Sequence, residues 1–568
     1  MMKWWALLTA IAGAIVLAII ATTPPAPAPS TIPATAFSAA RAMADDRVVA
    51  RAPHPTGSLA DAEVRAWLVG RLRAMGVTVT TSSATMSPAA AQRLALWRGT
   101  PAPPPPLVNI VGLLPGQDPK LPAILLMAHH DSVWGSPGAA DDGAGVVSAL
   151  ETIRAIKAAG PQRRDLMVLF SDGEELGLEG AKAFFAVDPR RAHVGVIVNM
   201  ETRGGGGRAS MFETGSDNGA MMRLFGQAVR RPVSTSLSVF IYQHLPNSTD
   251  YTVAKKLGYP GFNFAFIGRP SLYHSPLATP EALDQGALQD MGRQVLDLTR
   301  ALLAAPVLPG KAPDRVFFDA FGLVLIGYAA WVGWVLLALG ALGYGVAAFG
   351  RVRIGEFARG TGMTLAMVVA AGTLLYAVNL VSGADGKVNY YDRLAAIPRL
   401  EVQALLLCLA AGAAIWGLVA VGRSGRAGLT AGMAAPLLLL GLFAQATAPT
   451  AAFPIVVPLM LGGIAAATWR FAGERAGIVA SVIVAMLGVG YMLALGFQLI
   501  EAVGPTMPMA AALPLALAAA LVASLVPPVT RRGALLTAGL LVMLALAIAL
   551  WVRLDAVAPS VAVYSSDH

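Results

Sequence analysis

Residues 123–160 read AILLMAHHDSVWGSPGAADDGAGVVSALETIRAIKAAG. The opening AILLMAHH is apolar up to a pair of histidines and has the length of a buried strand. A polar, glycine-rich loop follows, and GAGVVSALETIRAIKAAG then carries its apolar positions at helical spacing. Strand, loop and helix in that order form part of a parallel βαβ unit. The texture continues on both sides. LVNIVGLL (107–114), DLMVLFSD (165–172), VGVIVNME (194–201) and GFNFAFIG (261–268) read as further buried strands, and GLEGAKAFFAV (177–187) as another helix. Residues 36–305 are therefore expected to form an α/β domain whose sheet is mixed but mostly parallel, with helices on its faces. Such sheets bind ligands beyond the carboxyl ends of their strands, and the polar clusters of this chain fall there.

Four clusters carry the chemistry. His129 ends its strand, and Asp131 follows two positions later, placed to hold the imidazole by its carboxylate or by the backbone turn. In the same loop Asp141 and Asp142 precede a helix. A helix cap accounts for Asp142 better than for Asp141, and one carboxylate has two oxygens with which to bridge two metals. Glu174 and Glu175 follow a strand directly, where adjacent carboxylates are costly unless cations are near. Glu201 lies just past a strand, and Tyr273 and His274 sit in the loop after the last one. His129, Asp141, Glu175, Glu201 and His274 together make two imidazoles and three carboxylates, a set that suits a pair of zinc ions. Glu174 is left beside them, where a general base is wanted. Arg203 and Arg208 are read as solvated surface, with binding of a peptide carboxylate as the other reading.

The ordered set His-x-Asp, Gly-Ala-x-Asp-Asp-Gly-x-Gly, Glu-Glu, Asn-x-Glu and Tyr-His closely resembles metallopeptidase family 28, the two-zinc aminopeptidases and glutamate carboxypeptidases. APHPTGS (52–58) and NSTDYTVAKKLGYPGFNFAFIG (247–268) are similar to that family too. An exported peptidase followed by many membrane helices looks most like the subgroup of the animal endoplasmic-reticulum metallopeptidase and the fungal vacuolar membrane protease. The resemblance implies a zinc-peptidase fold of the phosphorylase/hydrolase-like kind and two Zn2+ per chain. It implies that Asp141 bridges both ions, that His129 and Glu201 complete one site, and that Glu175 and His274 complete the other. It makes Glu174 the general base and has Tyr273 help stabilise the oxyanion. Many soluble relatives have Asp where this chain has Glu201, and His130 stands where a tyrosine is more usual. The expected activity is release of amino-terminal residues from peptides. A carboxypeptidase or a glutaminyl cyclase of the same fold is the alternative within the class. A receptor or transporter with a peptidase-like ectodomain is the alternative outside it.

The rest of the chain is of another kind. Of its 568 residues 56% are hydrophobic and 13% charged, and the mean hydropathy is +0.62. A water-facing surface needs more charge than that, so part of the chain is expected to face lipid. Residues 4–21, WWALLTAIAGAIVLAIIA, follow Lys3 as a signal-anchor, with a cleaved signal peptide as the competing reading. The proline-rich stretch PPAPAPSTIPA then reads as an extended linker that closes a segment 1–35. A second linker is expected at 306–318. Residues 319–568 are expected to form an all-α polytopic domain of about eight membrane helices, near 320–350, 361–383, 402–422, 428–447, 454–469, 476–500, 509–528 and 533–552.

Arg351, Arg353 and Arg359, then Arg423 and Arg426, Arg470 and Arg475, and Arg531 and Arg532 mark every second loop. The positive-inside rule makes those loops cytoplasmic and puts residues 36–305 on the far side. The interiors of the runs look free of ionisable residues, unlike a transport pathway. Asn379, Gln445 and Gln498 are read as interhelical hydrogen-bond partners. The net charge of +9 comes with no basic tract interleaved with aromatics, so nucleic acid is not expected as a partner. The expected partners are peptide substrates and the bilayer, and the sequence assigns no oligomeric state. Cys408 is the single cysteine, which excludes an internal disulfide. The alanine-rich composition suggests a bacterial inner membrane, with the peptidase domain in the periplasm or outside.

Overall fold

The computed structural model describes residues 2–383, 393–419 and 427–554. Arg423 and Arg426, named above, lie outside the described residues. The described chain divides into two compact units, one of residues 23–327 and the other of 2–22 with 328–554.

The first unit is built on a seven-stranded sheet. Its strands are β1 (Thr78–Ala84), β2 (Leu107–Leu114), β3 (Ala123–His129), β4 (Leu166–Ser171), β5 (Val194–Thr202), β6 (Ser210–Thr214) and β7 (Gly261–Phe266). The order is β1-β2-β4-β3-β5-β7-β6. The central β4, β3, β5 and β7 run parallel, while β1, β2 and β6 join antiparallel toward the edges. All five runs read as strands from their apolar character are strands. β3 and β4 are buried along their whole lengths, which is why their sequences are continuously apolar rather than alternating.

Helices cover both faces. Helix Gly143–Ala158 and helix Gln285–Ala304 pack on one side with Ile124, Leu126, Val198 and Phe264. Phe184 and Phe185 of helix Glu179–Val187 pack on the other with Leu125, Met127 and Ile197. A Cβ built on Gly292 would fall inside the buried ring of Phe37. Gly292→Ala is therefore expected to destabilise this unit by about 1–3 kcal/mol, the usual cost of overpacking, read as a lowered denaturation midpoint.

Two readings of the linkers are corrected. Residues 23–35 are not a free spacer. Ala28 N–H donates to Gln289 (3.0 Å), Arg154 donates to the Ala34 carbonyl (2.7 Å), and Ser38 Oγ donates to the Ala28 carbonyl (3.1 Å). Prolines leave carbonyls without local partners, and this unit supplies the donors. Residues 315–329, split in the sequence reading between a linker and the first membrane run, form the two-stranded sheet β8 (Arg315–Ala320) and β9 (Val324–Ala329). Phe317 enters the core of the first unit, and Leu325 packs against it. An apolar run alone does not distinguish a buried strand from the start of a membrane helix.

In the second unit each of the eight apolar runs contains a helix. Among the described residues seven helices, the N-terminal Met2–Thr22 included, are long and apolar enough to cross a membrane, while Val332–Ala348 and Pro508–Val522 are shorter apolar helices. These helices make the chain a multi-pass membrane protein. Ala6, Ala10 and Ala14 of the N-terminal helix pack on Ile478, Ala485 and Val489, the small-residue contact that lets membrane helices approach closely. Asn379 Nδ2 donates to the Pro505 carbonyl (2.9 Å) and Gln445 Nε2 to the Ala330 carbonyl (2.8 Å), both between segments far apart in the chain. The apolar runs themselves hold no Asp, Glu, Lys, Arg or His, and Glu356, Glu401 and Glu501 fall just outside them, in the parts of the helices that extend past the apolar stretches.

Candidate metal centre

The four parallel strands end side by side, and the chain leaves each of them with a metal-ligating residue type. β3 ends on His129 itself. The loop after it brings back Asp141, just before helix Gly143–Ala158. Glu175 follows the end of β4, Glu201 is the next-to-last residue of β5, and His274 lies in the loop beyond β7. All five are buried.

Asp141 is the centre of this group. Its Oδ1 lies 3.2 Å from His129 Nε2 and its Oδ2 lies 3.1 Å from His274 Nε2. Glu201 Oε2 is 3.8 Å from His129 Nε2, and Glu175 Oε1 is 3.2 Å from His274 Nε2. Two triads result, His129–Asp141–Glu201 and Asp141–Glu175–His274, each with one donor atom per residue and all of these within 4.8 Å of one another. They share Asp141.

The electrostatics fit a cation. Burial, and then the charges of Glu175, Asp250 and Asp141, push Glu174 well above the usual carboxylate range, against the pull of His129. Burial and the Glu174 charge do the same to Glu201, and burial raises Glu175. Asp141 goes the other way. Burial works to raise it, but contacts with His129 and His274 hold it at about 2. His274 rises to about 9, because Glu175 and Asp141 outweigh the cost of burying its charge. Three carboxylates and two imidazoles crowded together out of water offer divalent cations a concentrated set of ligand atoms. The residue set therefore fits two metal ions.

Around this set the structure adds positioning contacts. His129 Nδ1 faces the Asp131 backbone carbonyl at 2.9 Å, with the Asp131 carboxylate farther off at 3.5 Å. Of the two ways in which Asp131 was expected to hold the ring, the backbone makes the closer contact. The Asp131 carboxylate instead accepts from Glu174 N–H (3.1 Å), Glu175 N–H (3.3 Å) and Thr56 Oγ1 (3.3 Å). It thus pins the β4 loop to the β3 loop. Gly173 makes the turn between them at φ 70°, which L side chains rarely adopt. Asp142 caps helix Gly143–Ala158 by accepting from Gly145 N–H (3.0 Å), and its other oxygen accepts from His129 N–H (3.2 Å). Tyr273, half-buried, stacks its ring on His274 at 3.8 Å between centroids.

Some neighbours were given no role from the sequence. Asp250, at the start of helix Asp250–Lys256, accepts from Ser171 Oγ at the end of β4, and burial raises its carboxyl to about 6. Tyr242 lies close enough to Glu201 and Glu174 for both charges to act on its phenol. His130 turns away from the centre. Its Nδ1 is 3.0 Å from Asp61 Oδ1 and its Nε2 is 3.1 Å from the Val108 carbonyl. Asp61, His130 and Asp172 form a third buried group. Arg65 reaches Asp61 at 2.9 Å and His130 is pushed up to about 9, burial being outweighed by Asp61. Asp61 thus pairs with both His130 and Arg65, while Asp172 accepts from Val108 N–H (2.7 Å) and burial raises its carboxyl to about 7. Arg208 is not solvated surface. It is buried against Asp290 at 2.6 Å.

Residues 109–299 match the sequence profile described as Peptidase family M28. The chain is 29% identical over 238 residues to endoplasmic reticulum metallopeptidase 1 of Mus musculus, covering 40% of this chain and 26% of the relative. It is 33% identical over 225 residues to the vacuolar membrane protease of Lachancea thermotolerans, covering 38% and 23%. The matched part thus spans about a quarter of the length of these curated relatives. Among solved structures, an aminopeptidase from Aneurinibacillus sp. strain AM-1 is similar with a TM-score of 0.38 at 14% identity, over 50% of this chain and 98% of that one. A glutaminyl cyclase of Porphyromonas gingivalis is similar with a TM-score of 0.37 at 20% identity, over 46% and 98%.

Proposed function

From the match of residues 109–299 to the profile described as Peptidase family M28, we propose that the chain is a membrane-bound, zinc-dependent exopeptidase that removes amino-terminal residues from peptides. The observation that carries this reading is the position of Asp141, with one carboxylate oxygen against each of two imidazoles. His129 and Glu201 would hold one zinc ion, Glu175 and His274 the other, and Asp141 both. Bound zinc supplies Lewis acidity, which makes a water more acidic and polarises a carbonyl.

The chain's own groups do the rest. Glu174, beside the ligands but outside both triads, takes a proton from the attacking water and passes it to the leaving amine. Asp131 acts on that step without touching substrate, because it fixes the Glu174 and Glu175 backbone. Tyr273, fixed against His274, donates its phenol proton to the oxygen that gains charge as water adds. The carboxylates of the centre give a peptide's terminal ammonium group a partner, which favours the amino end. On the positive-inside reading, the peptidase unit works on the non-cytoplasmic side. The relatives named for a membrane belong to the endoplasmic reticulum and the vacuole, so the bacterial inner membrane rests on composition alone.

Digestion of a short peptide set tests the reading. The purified full chain is expected to release the first residue of peptides with free amino termini and to leave N-acetylated copies intact. Release of the last residue from both would make it a carboxypeptidase. No release of either end would reject the exopeptidase reading.

A further inference from the structure

The membrane unit contains a cavity of about 450 Å³ far from any peptidase residue in sequence. Its lining includes Arg351 and Arg353, just after helix Val332–Ala348, and Arg470, near the end of helix Phe453–Phe471. These three are exposed, and none makes an ion pair among the described residues. Glu356 is the one acidic residue of the lining, which leaves the cavity with a surplus of positive charge.

The deeper wall is of another kind. Leu521 and Ala465 are buried there, and so is Ser481. Ser481 Oγ accepts from Trp469 Nε1 (2.9 Å) and from Ser524 Oγ (3.0 Å). The Ser481 side chain is 1% exposed, and because either hydroxyl of the Ser481–Ser524 pair can donate to the other, one proton of the pair can turn toward the cavity. Both hydroxyls line the cavity. Lys3 adds a fourth cation nearby, with Nζ 5.4 Å from the centre of the Trp469 ring.

Guanidinium groups at a mouth, a hydroxyl donor deeper in and an apolar wall beside it describe a receptor for an anionic group on an amphiphile. Arginines placed only to set topology have no need to gather around one cavity from separate segments. We infer that this cavity binds a phosphate group, as carried by the headgroup of an anionic phospholipid. Arg351, Arg353 and Arg470 supply charge-assisted hydrogen bonds to its oxygens, and Ser481 supplies a neutral one. By the positive-inside reading these arginines lie at the cytoplasmic surface, where anionic headgroups recruit basic pockets between helices.

Native mass spectrometry of the delipidated full chain in detergent tests this, with phosphatidylglycerol, diacylglycerol and inorganic phosphate as probes. One phosphatidylglycerol is expected to stay bound per chain, and diacylglycerol, which has no phosphate, is expected to leave. Removing two guanidiniums in Arg351→Gln/Arg470→Gln should weaken retention about thirtyfold, at the usual contribution of basic residues near a membrane surface. Ala466→Phe, which fills the cavity without changing a charge, should weaken it as well and keeps the test decisive if the paired variant does not fold. Displacement by inorganic phosphate would identify the phosphate alone as the recognised group, and retention in its presence would identify the lipid as its carrier. Equal retention of diacylglycerol, or retention unchanged in both variants, would overturn the inference.

Discussion

Glu174→Gln is expected to keep the fold and the bound zinc and to lower peptide turnover at least a hundredfold, the low end for loss of a general acid–base group. The substitution preserves shape and removes only the ability to take up a proton. Glu174 is half-buried, is not part of either ligand triad, and is positioned through its backbone N–H by Asp131 rather than through its carboxylate. The loss should therefore fall on kcat, with KM little changed. A loss in KM with kcat preserved would make Glu174 a substrate-binding group and leave the reaction without its base. Metal content measured on the same sample separates the two roles of the adjacent glutamates, because Glu175→Gln should release zinc and Glu174→Gln should not.

Asp141→Asn is expected to have a broader effect. One oxygen becomes an NH2 group, which brings hydrogens toward an imidazole nitrogen that now lies about as close to the carboxylate as a hydrogen-bonded partner would. Both triads lose their shared anion, so zinc should fall by at least one ion per chain and turnover by about a thousandfold or more. The substitution should also change the response to chelator. Ligands that bind only the folded state stabilise it by mass action, so stripping zinc should lower the melting temperature of the wild-type chain. The variant, already depleted, should melt at nearly the same temperature with and without chelator. A variant that kept both ions would show that Asp141 bridges nothing.

The part of this architecture that the sequence displays is the part dictated by burial. β3 and β4 are enclosed on both faces, so their residues are apolar throughout and easy to read as strands. β1 lies at the sheet edge with threonines that are exposed, TVTTSSA, and gives no such signal. His129, Glu175 and Glu201 stood out because each closes or closely follows an apolar strand, whereas Asp141 and His274 lie in loops and stood out only through the motifs around them. Their convergence was not legible, since it depends on the order β4-β3-β5-β7, which no local pattern encodes. Asp250 and Tyr242 were assigned no role for the same reason. They sit on short helices and come to the centre only through long-range packing. β9 was misplaced because Val324–Ala329 has the composition of a membrane run and the burial of a sheet edge.

Titration of zinc into the metal-stripped full chain, with peptide hydrolysis as the readout, bears most directly on the pair of triads around Asp141. The stripped chain should be inactive, and hydrolysis should return and saturate at two equivalents of zinc per chain. Hydrolysis that survives complete removal of metal would contradict the account, as would a chain that binds no zinc at all.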